Sequence, residues 1–283
     1  MSQYFQGQYY KHHQGKNTLA IIPGKTAQHA FIWVVTPHKS WFIKYPLSSY
    51  RSRGSTTNIA RNTFSPQGIQ VNIKTKHLTL AGKLTYHNLT PAQGNIMGPF
   101  AWLPMECSHS ITSMHHTIRG ALTLNSKTLD FTHGVGYIEG DRGTSFPQKY
   151  AWVQCNSFGD SPHNKVSIMA AVATIPVVSQ RFTFTGVIAV VHINGKEHRL
   201  ATYKGAKVKQ LTPKVMVITQ GQYKLYIKTN KKKGRKLPAP QHGSMTRWIK
   251  ENIQTHGEFI LMRGKACLLY ARSKHTAKEY EWD

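Results

Sequence analysis

Apolar and polar residues alternate with a period of two along most of the chain. Successive side chains of a strand point to opposite faces of a sheet, so this alternation predicts strands with one buried face. The runs are short, rich in β-branched and aromatic residues, and bounded by Pro, Gly and Ser. They lie at positions 19–22, 29–35, 41–45, 68–73, 166–172, 182–193 and 259–270.

Tight hairpins are predicted between several of these strands. Asn194-Gly195 is the strongest signal, because both central positions of a type I′ turn need a positive φ. Alternating runs also flank Ala81-Gly82, the segment 125–127 and Gly221. The sequence therefore predicts antiparallel neighbours at all four places.

One segment has helical spacing. Ser244 can cap a run whose apolar residues recur at i, i+3, i+4 and i+8 from Met245, and Gly257 can close it. This predicts one short helix over 244–257, in the C-terminal half of the chain.

Many short strands with a single helix and no βαβ alternation predict an all-β protein made of antiparallel barrels or sandwiches. A chain of 283 residues is long enough for two barrel-like halves. The break between them is placed near Asp130, after a hairpin ends. The predicted domains are residues 1–130 and 131–283.

The charge balance adds candidate partners. The 37 Lys and Arg residues against 11 Asp and Glu give a formal charge of +26, which favours attraction to nucleic acid or to an anionic membrane surface. The densest basic run, 231–236, is interpreted as a solvated loop, and no nucleic-acid-binding motif accompanies it.

Cysteine usage and the termini predict a soluble, cytoplasmic protein. Three widely spaced cysteines without a CxxC pair indicate reduced thiols, and no metal site is expected. The N-terminus has no apolar signal segment, and no run is long enough to span a membrane.

Carboxylates are scarce in this chain, yet Glu139 and Asp141 lie two positions apart and hence on one face of a strand. This arrangement suits an acid/base site or a ligand clamp, and equally a structural carboxylate pair. Glu106 follows a segment rich in aromatic residues and Met, which favours a buried acid paired with His109, His115 or Lys11.

Several motifs then identify a family. The motifs include Phe5-Gln-Gly-Gln-Tyr-Tyr-Lys11, Met97-Gly-Pro-Phe-Ala101, Met105-Glu-Cys107, Gly136-Tyr-Ile-Glu139 and Ser145-Phe-Pro147. With them the chain resembles bacterial tocopherol cyclase-like proteins and, more distantly, the carotenoid hydratase group, whose fold is a pair of lipocalin-like antiparallel β-barrels.

The resemblance implies isoprenoid chemistry without a cofactor. An acid protonates the alkene of a prenyl-quinol, and the phenolic oxygen closes a ring on the resulting cation. A carboxylic acid is the usual donor, because burial among apolar walls favours its protonated form. The catalytic candidates are Glu139, Asp141 and Glu106. The substrate-binding candidates are His109, Tyr137, Arg142, Trp152, Asn156, Trp102 and Lys11.

The chain departs from the family pattern beside the acids. The family typically reads Glu-Lys-Asp-Trp-Gly, whereas this chain has Arg142 after Asp141. If Arg142 paired with Asp141, it would favour the carboxylate over the proton donor, although strand alternation would send Arg142 to the opposite face. The alternatives are therefore a non-catalytic binder of a hydrophobic small molecule and a basic protein that binds nucleic acid or an anionic surface.

Overall fold

The computed structural model describes residues 4–159, 165–177, 182–230 and 234–282. Within these ranges nearly every element is a β-strand, and the helical residues form three short 3₁₀ turns at Leu47–Ser49, Gly98–Trp102 and Thr202–Lys204. The strands form two antiparallel sheets. The prediction of an all-β antiparallel fold is confirmed.

The first sheet holds twelve strands in the order β4-β3-β2-β1-β12-β10-β9-β8-β7-β6-β5, with β11 paired to β10. β3 contacts β6, so the two ends of this sheet curl towards each other. The strands are β1 (Phe5–Gln14), β2 (Asn17–Lys25), β3 (His29–Val35), β4 (Ser40–Pro46), β5 (Tyr50–Arg53), β6 (Thr56–Ile59), β7 (Asn62–Ser65), β8 (Gly68–Lys74), β9 (Thr79–Thr90), β10 (Cys107–Leu124), β11 (Lys127–Asp130) and β12 (Gly134–Gly143).

The second sheet holds ten strands in the order β16-β15-β14-β13-β22-β21-β19-β18-β17, with β20 paired to β21. Its ends also curl, since β16 contacts β18. The strands are β13 (Tyr150–Cys155), β14 (Val166–Val177), β15 (Phe182–Ile193), β16 (Lys196–Ala201), β17 (Lys207–Leu211), β18 (Val215–Gln220), β19 (Tyr223–Thr229), β20 (Arg235–Gln241), β21 (Ser244–Arg263) and β22 (Ala266–Glu281).

The chain divides into two compact units, each with its own apolar core. The first comprises residues 1–91, 107–146 and 237–248, and the second comprises 92–106, 147–236 and 249–283. Tyr10 and Ile138 belong to the core of the first unit, and Val153 and Phe259 to the core of the second. The domain boundary placed near residue 130 stays a prediction.

Three of the four predicted hairpins are confirmed. Asn194 and Gly195 have positive φ between β15 and β16, the turn at 125–127 joins β10 to β11, and Gly221 joins β18 to β19. The hairpin at Ala81-Gly82 is wrong, because both residues lie inside β9. Gly82 is flanked there by two backbones, and a Cβ would come within 2.5 Å of the Ala121 carbonyl. The glycine therefore permits close pairing rather than a turn.

The predicted helix over 244–257 is also wrong, because this segment is the first part of β21. Burial from Ile249 onwards recurs mainly at alternate residues, and Ile253, Thr255 and Gly257 share the buried face. Trp248, which a helix would have turned inward, is 63% exposed. The 3.6-residue spacing arose by chance in a long strand that pairs with β20 and β22.

The three cysteines and part of the basic run lie within the described residues. Cys107 is half-buried, Cys155 buried and Cys267 exposed, and none of the three is in a disulfide bond. Residues 231–233 of the basic run lie outside the described residues, while Arg235 and Lys236 begin β20. No helix in the described part of the chain is long and apolar enough to cross a membrane.

The core of the first unit contains a buried polar group of two histidines and a tyrosine. His12 Nε2 lies 2.5 Å from the Tyr86 hydroxyl, and the ring of His116 packs 4.4 Å from that of Tyr86. Burial lowers the pKa of His12 to about 4, although the Leu19 carbonyl opposes this, and burial also lowers the pKa of His116. Both imidazoles are therefore neutral at pH 7.

We expect acid to destabilise the protein through His12. Below pH 6.5 the His12 imidazole is protonated in the unfolded chain but stays neutral in the native protein. The free energy of unfolding therefore falls as the pH drops from 6.5, and the decrease ends near pH 4, the native pKa. The loss from His12 is about 3 kcal/mol. Urea denaturation at several pH values in this range should show the dependence of the free energy of unfolding on pH. This dependence should be weaker in His12→Gln and unchanged in His38→Gln, where the histidine is exposed. Equal slopes in the wild type and His12→Gln would contradict the assignment.

Candidate functional site

Three neighbouring strands of the first unit bring the predicted acids together with a histidine. β12 lies between β1 and β10, and His109 of β10 stands directly opposite Asp141 of β12. Ile138 points into the core, so by alternation Tyr137, Glu139 and Asp141 share the opposite face. We call His109, Tyr137, Glu139 and Asp141 the carboxylate cluster.

His109 sits between the two carboxylates. Its Nδ1 lies 2.7 Å from Asp141 Oδ1, and its Nε2 lies 3.3 Å from Glu139 Oε2, an ion-pair distance without hydrogen-bond geometry. The Tyr137 hydroxyl donates to the same Glu139 oxygen at 2.7 Å. The Cys107 thiol contacts Asp141 Oδ1 at 3.6 Å. One imidazole thus connects both acids.

The two acids determine the charge of His109. Burial alone lowers the pKa of this imidazole, but the charges of Asp141 and Glu139 and the hydrogen bond with Asp141 raise it, and the net pKa lies well above 6.5. Burial raises the pKa of Tyr137 well above 10, and the Glu139 carboxylate adds to this. At neutral pH the cluster therefore holds an imidazolium and a neutral phenol.

Exposure falls along the cluster. The side chain of Asp141 is 24% exposed, that of His109 14% and that of Glu139 7%. Solvent reaches the Asp141 end most readily. A proton can therefore enter beside Asp141 and reach the buried Glu139 through the imidazole ring, whose two nitrogens face the two acids.

We expect NMR titration to place the His109 midpoint above 6.5 and Asp141→Asn to lower it, because that change removes the nearer charge. Asp130→Asn, the same change at an exposed position, should leave the midpoint unchanged. A raised pKa also means that the cluster stabilises the fold at and below pH 6.5 and loses that contribution as the pH rises through the native pKa. A wild-type midpoint below 6.5 would show that burial outweighs both charges.

Arg142 does not enter the cluster. Its side chain is exposed, as alternation along β12 requires, and none of the ion pairs between described residues joins it to Asp141. His109 is the basic group that contacts both acids instead. Arg142, the residue that departs from the family pattern, therefore leaves both acids in contact with the titratable side chain of His109.

The other predicted site residues fall in both units. Lys11 is buried on β1, opposite Tyr137 in the pairing with β12, so it lies on the face of the carboxylate cluster. The remaining four belong to the second unit, where Trp152 and Asn156 are buried, Glu106 is half-buried and Trp102 is exposed. Their assignments as catalytic or substrate-binding residues stay predictions.

The sequence patterns did not reveal two acids of the second unit, the half-buried Glu279 and the buried Glu251. Glu279 of β22 pairs with both Trp152 and Glu251 across neighbouring strands, and its Oε2 accepts a 2.5 Å hydrogen bond from Tyr150. Glu251 is almost fully buried on β21. The mistaken helix over 244–257 hid the alternation that places Glu251 on a strand face. Among the described residues, no group of three or more His, Cys, Asp or Glu is arranged to hold a metal ion.

A family comparison covers most of the chain. The model of the tocopherol cyclase-like family matches residues 77–280, a range that includes the whole carboxylate cluster. No curated protein matches the sequence.

Solved structures share the fold at low identity. CghA determined with the compound Sch210972 is 10% identical, with a TM-score of 0.61 over 99% of this chain and 89% of that one. Kievitone hydratase from Nectria haematococca is 9% identical, with a TM-score of 0.55 over 98% of this chain and 89% of that one. An AttH protein from Nitrosomonas europaea is 12% identical, with a TM-score of 0.54 over 99% of this chain and 92% of that one. These likenesses show the fold alone, and the predicted pair of lipocalin-like halves is confirmed.

Proposed function

Because the chain belongs to the tocopherol cyclase-like family, we propose that it adds an O–H group across the alkene of an isoprenoid by general acid catalysis, as in the ring closure of a prenyl-quinol. The observation that carries the proposal is the position of Glu139. Its Oε2 lies between the Tyr137 hydroxyl and the imidazole of His109, and the side chain is buried.

Glu139 is the group that we assign as the acid. Its proton passes to one carbon of the alkene, which forms a C–H bond and leaves a tertiary cation on the other carbon. The phenolic oxygen attacks that cation, the C–O bond closes the ring, and the phenolic proton passes to the Glu139 carboxylate. Substrate and product are isomers, so the cycle needs no oxidant or reductant.

His109 and Asp141 supply the proton for the first step. The imidazolium faces Glu139 Oε2 at 3.3 Å and can load the carboxylate before the substrate reacts. Asp141 holds the opposite nitrogen at 2.7 Å and stabilises the charged ring. Tyr137 donates to Glu139 and fixes the orientation of the carboxyl group. The role of Asp141 is therefore to position and charge His109.

The assay that tests the proposal uses a prenylated hydroquinone in D₂O with the purified full chain. Chromanol with one deuterium on carbon, detected by mass spectrometry, is the expected product. An alcohol heavier than the substrate by one water would identify a hydratase working through the same cation. Bound but unchanged substrate would contradict catalysis.

The ion pairing of the cluster favours one second candidate. Both carboxylates already contact the His109 cation, and this arrangement also suits a fixed polar wall in a non-catalytic binder of a hydrophobic small molecule. The fold neighbour CghA has been determined with a bound compound. Saturable binding without turnover in the same assay would support this function.

A further inference from the structure

The loop 92–105 of the second unit, which we call the apolar loop, presents two large apolar side chains to solvent. Trp102 is 90% exposed and Leu103 is 55% exposed. The other large apolar side chains exposed among the described residues occur singly, as Trp248 does on β21. A single exposed side chain is ordinary, but adjacent Trp and Leu at the tip of one loop indicate a contact surface.

The apolar loop has no charged residue over 14 positions in a chain of net charge +26. Some of its backbone donors are satisfied within the loop. The amides of Gly98, Phe100, Leu103 and Met105 donate to carbonyls at Asn95, Met97, Phe100 and Leu103, and the two prolines have no N–H group. These four amides keep their hydrogen bonds when the tip leaves water, which lowers the cost of that transfer.

Side chains of the second unit hold the apolar loop in place. Arg199 donates to the carbonyls of Gln93 and Asn95, and Glu197 accepts from the Gln93 amide at 2.7 Å. Tyr203 donates to the Ile96 carbonyl and packs against Phe100. The exposed tip is thus fixed before it meets a partner, which lowers the entropy lost on binding.

We propose that the apolar loop docks the protein on an anionic lipid surface, with Trp102 and Leu103 in the interfacial region. Trp is suited to that region because its apolar ring can contact the acyl chains while its N–H group donates a hydrogen bond to the headgroups or to water. Lys204, next to the loop-anchoring Tyr203, is exposed, and the overall charge attracts the protein to acidic headgroups. The docking is independent of the proposed reaction.

The test is co-sedimentation of the full chain with vesicles of phosphatidylcholine containing about one third phosphatidylserine. We expect binding that Trp102→Ser with Leu103→Ser weakens about tenfold or more and that high salt weakens further. Trp248→Ser removes an exposed Trp of a strand instead and should bind like the wild type. Circular dichroism should show that both variants are folded.

Brominated lipids give a second readout, since they should quench the Trp102 part of the wild-type fluorescence, and the loop variant, which lacks Trp102, should show no such quenching. Failure to bind the vesicles, or equal binding by the loop variant and the wild type, would overturn the proposal. A loop variant that loses affinity for single-stranded DNA but not for vesicles would do so as well, because Trp102 would then be a base-stacking surface.

Discussion

A Glu139→Gln chain is expected to form product from the prenyl-quinol at least about a hundredfold more slowly than the wild type, which is the usual contribution of a positioned general acid. The amide has nearly the same shape, and its oxygen can still accept from the Tyr137 hydroxyl. It has no acidic proton to deliver to the alkene. The change should therefore lower kcat while substrate affinity stays close to the wild type.

Glu258→Gln is the matched control for this prediction. Glu258 lies in the second unit on β21, and its contact with Arg272 is a 3.5 Å pair at the protein surface. The same chemical change there should leave turnover unaltered. If Glu139→Gln kept wild-type turnover, another acid would be the donor, and Glu106, Glu251 and Glu279 would be the groups to change next.

The alternation of apolar and polar residues predicted most of the fold, because one buried face imposes a period of two on each strand. Local patterns misled at Gly82 and over 244–257, where contacts with other strands decide the structure. At Gly82 these are the neighbouring strands, and over 244–257 they are β20 and β22. A local pattern carries no information on which backbone will approach a glycine or pair with a long strand.

The candidate site was predictable in part for the same reason. The spacing of Glu139 and Asp141 placed both on one strand face, and strand alternation directed Arg142 away. The partner of the acids was not predictable from spacing, because His109 reaches them through the pairing of β10 with β12, 32 residues apart along the chain. That pairing includes register shifts, which only the folded sheet reveals.

Replacing Arg199 by Met is expected to lower the free energy of unfolding by about 3–5 kcal/mol, the range for breaking one side of a buried ion pair. Arg199 Nη2 lies 2.5 Å from Glu197 Oε1, and the two side chains are only 9% and 3% exposed. The change leaves the Glu197 carboxylate buried without its countercharge. It also removes the donors to the Gln93 and Asn95 carbonyls that hold the apolar loop.

Urea denaturation of two further variants separates charge from packing in this prediction. Glu197→Gln combined with Arg199→Met removes the isolated charge and should be more stable than Arg199→Met alone. Arg272→Met breaks the pair with Glu258, in which the arginine is 64% exposed, and should lower stability by less than about 1 kcal/mol. Equal losses for Arg199→Met and Arg272→Met would show that burial does not strengthen the first pair. The apolar loop would then depend on its aromatic contacts with Tyr203 and Phe184 instead.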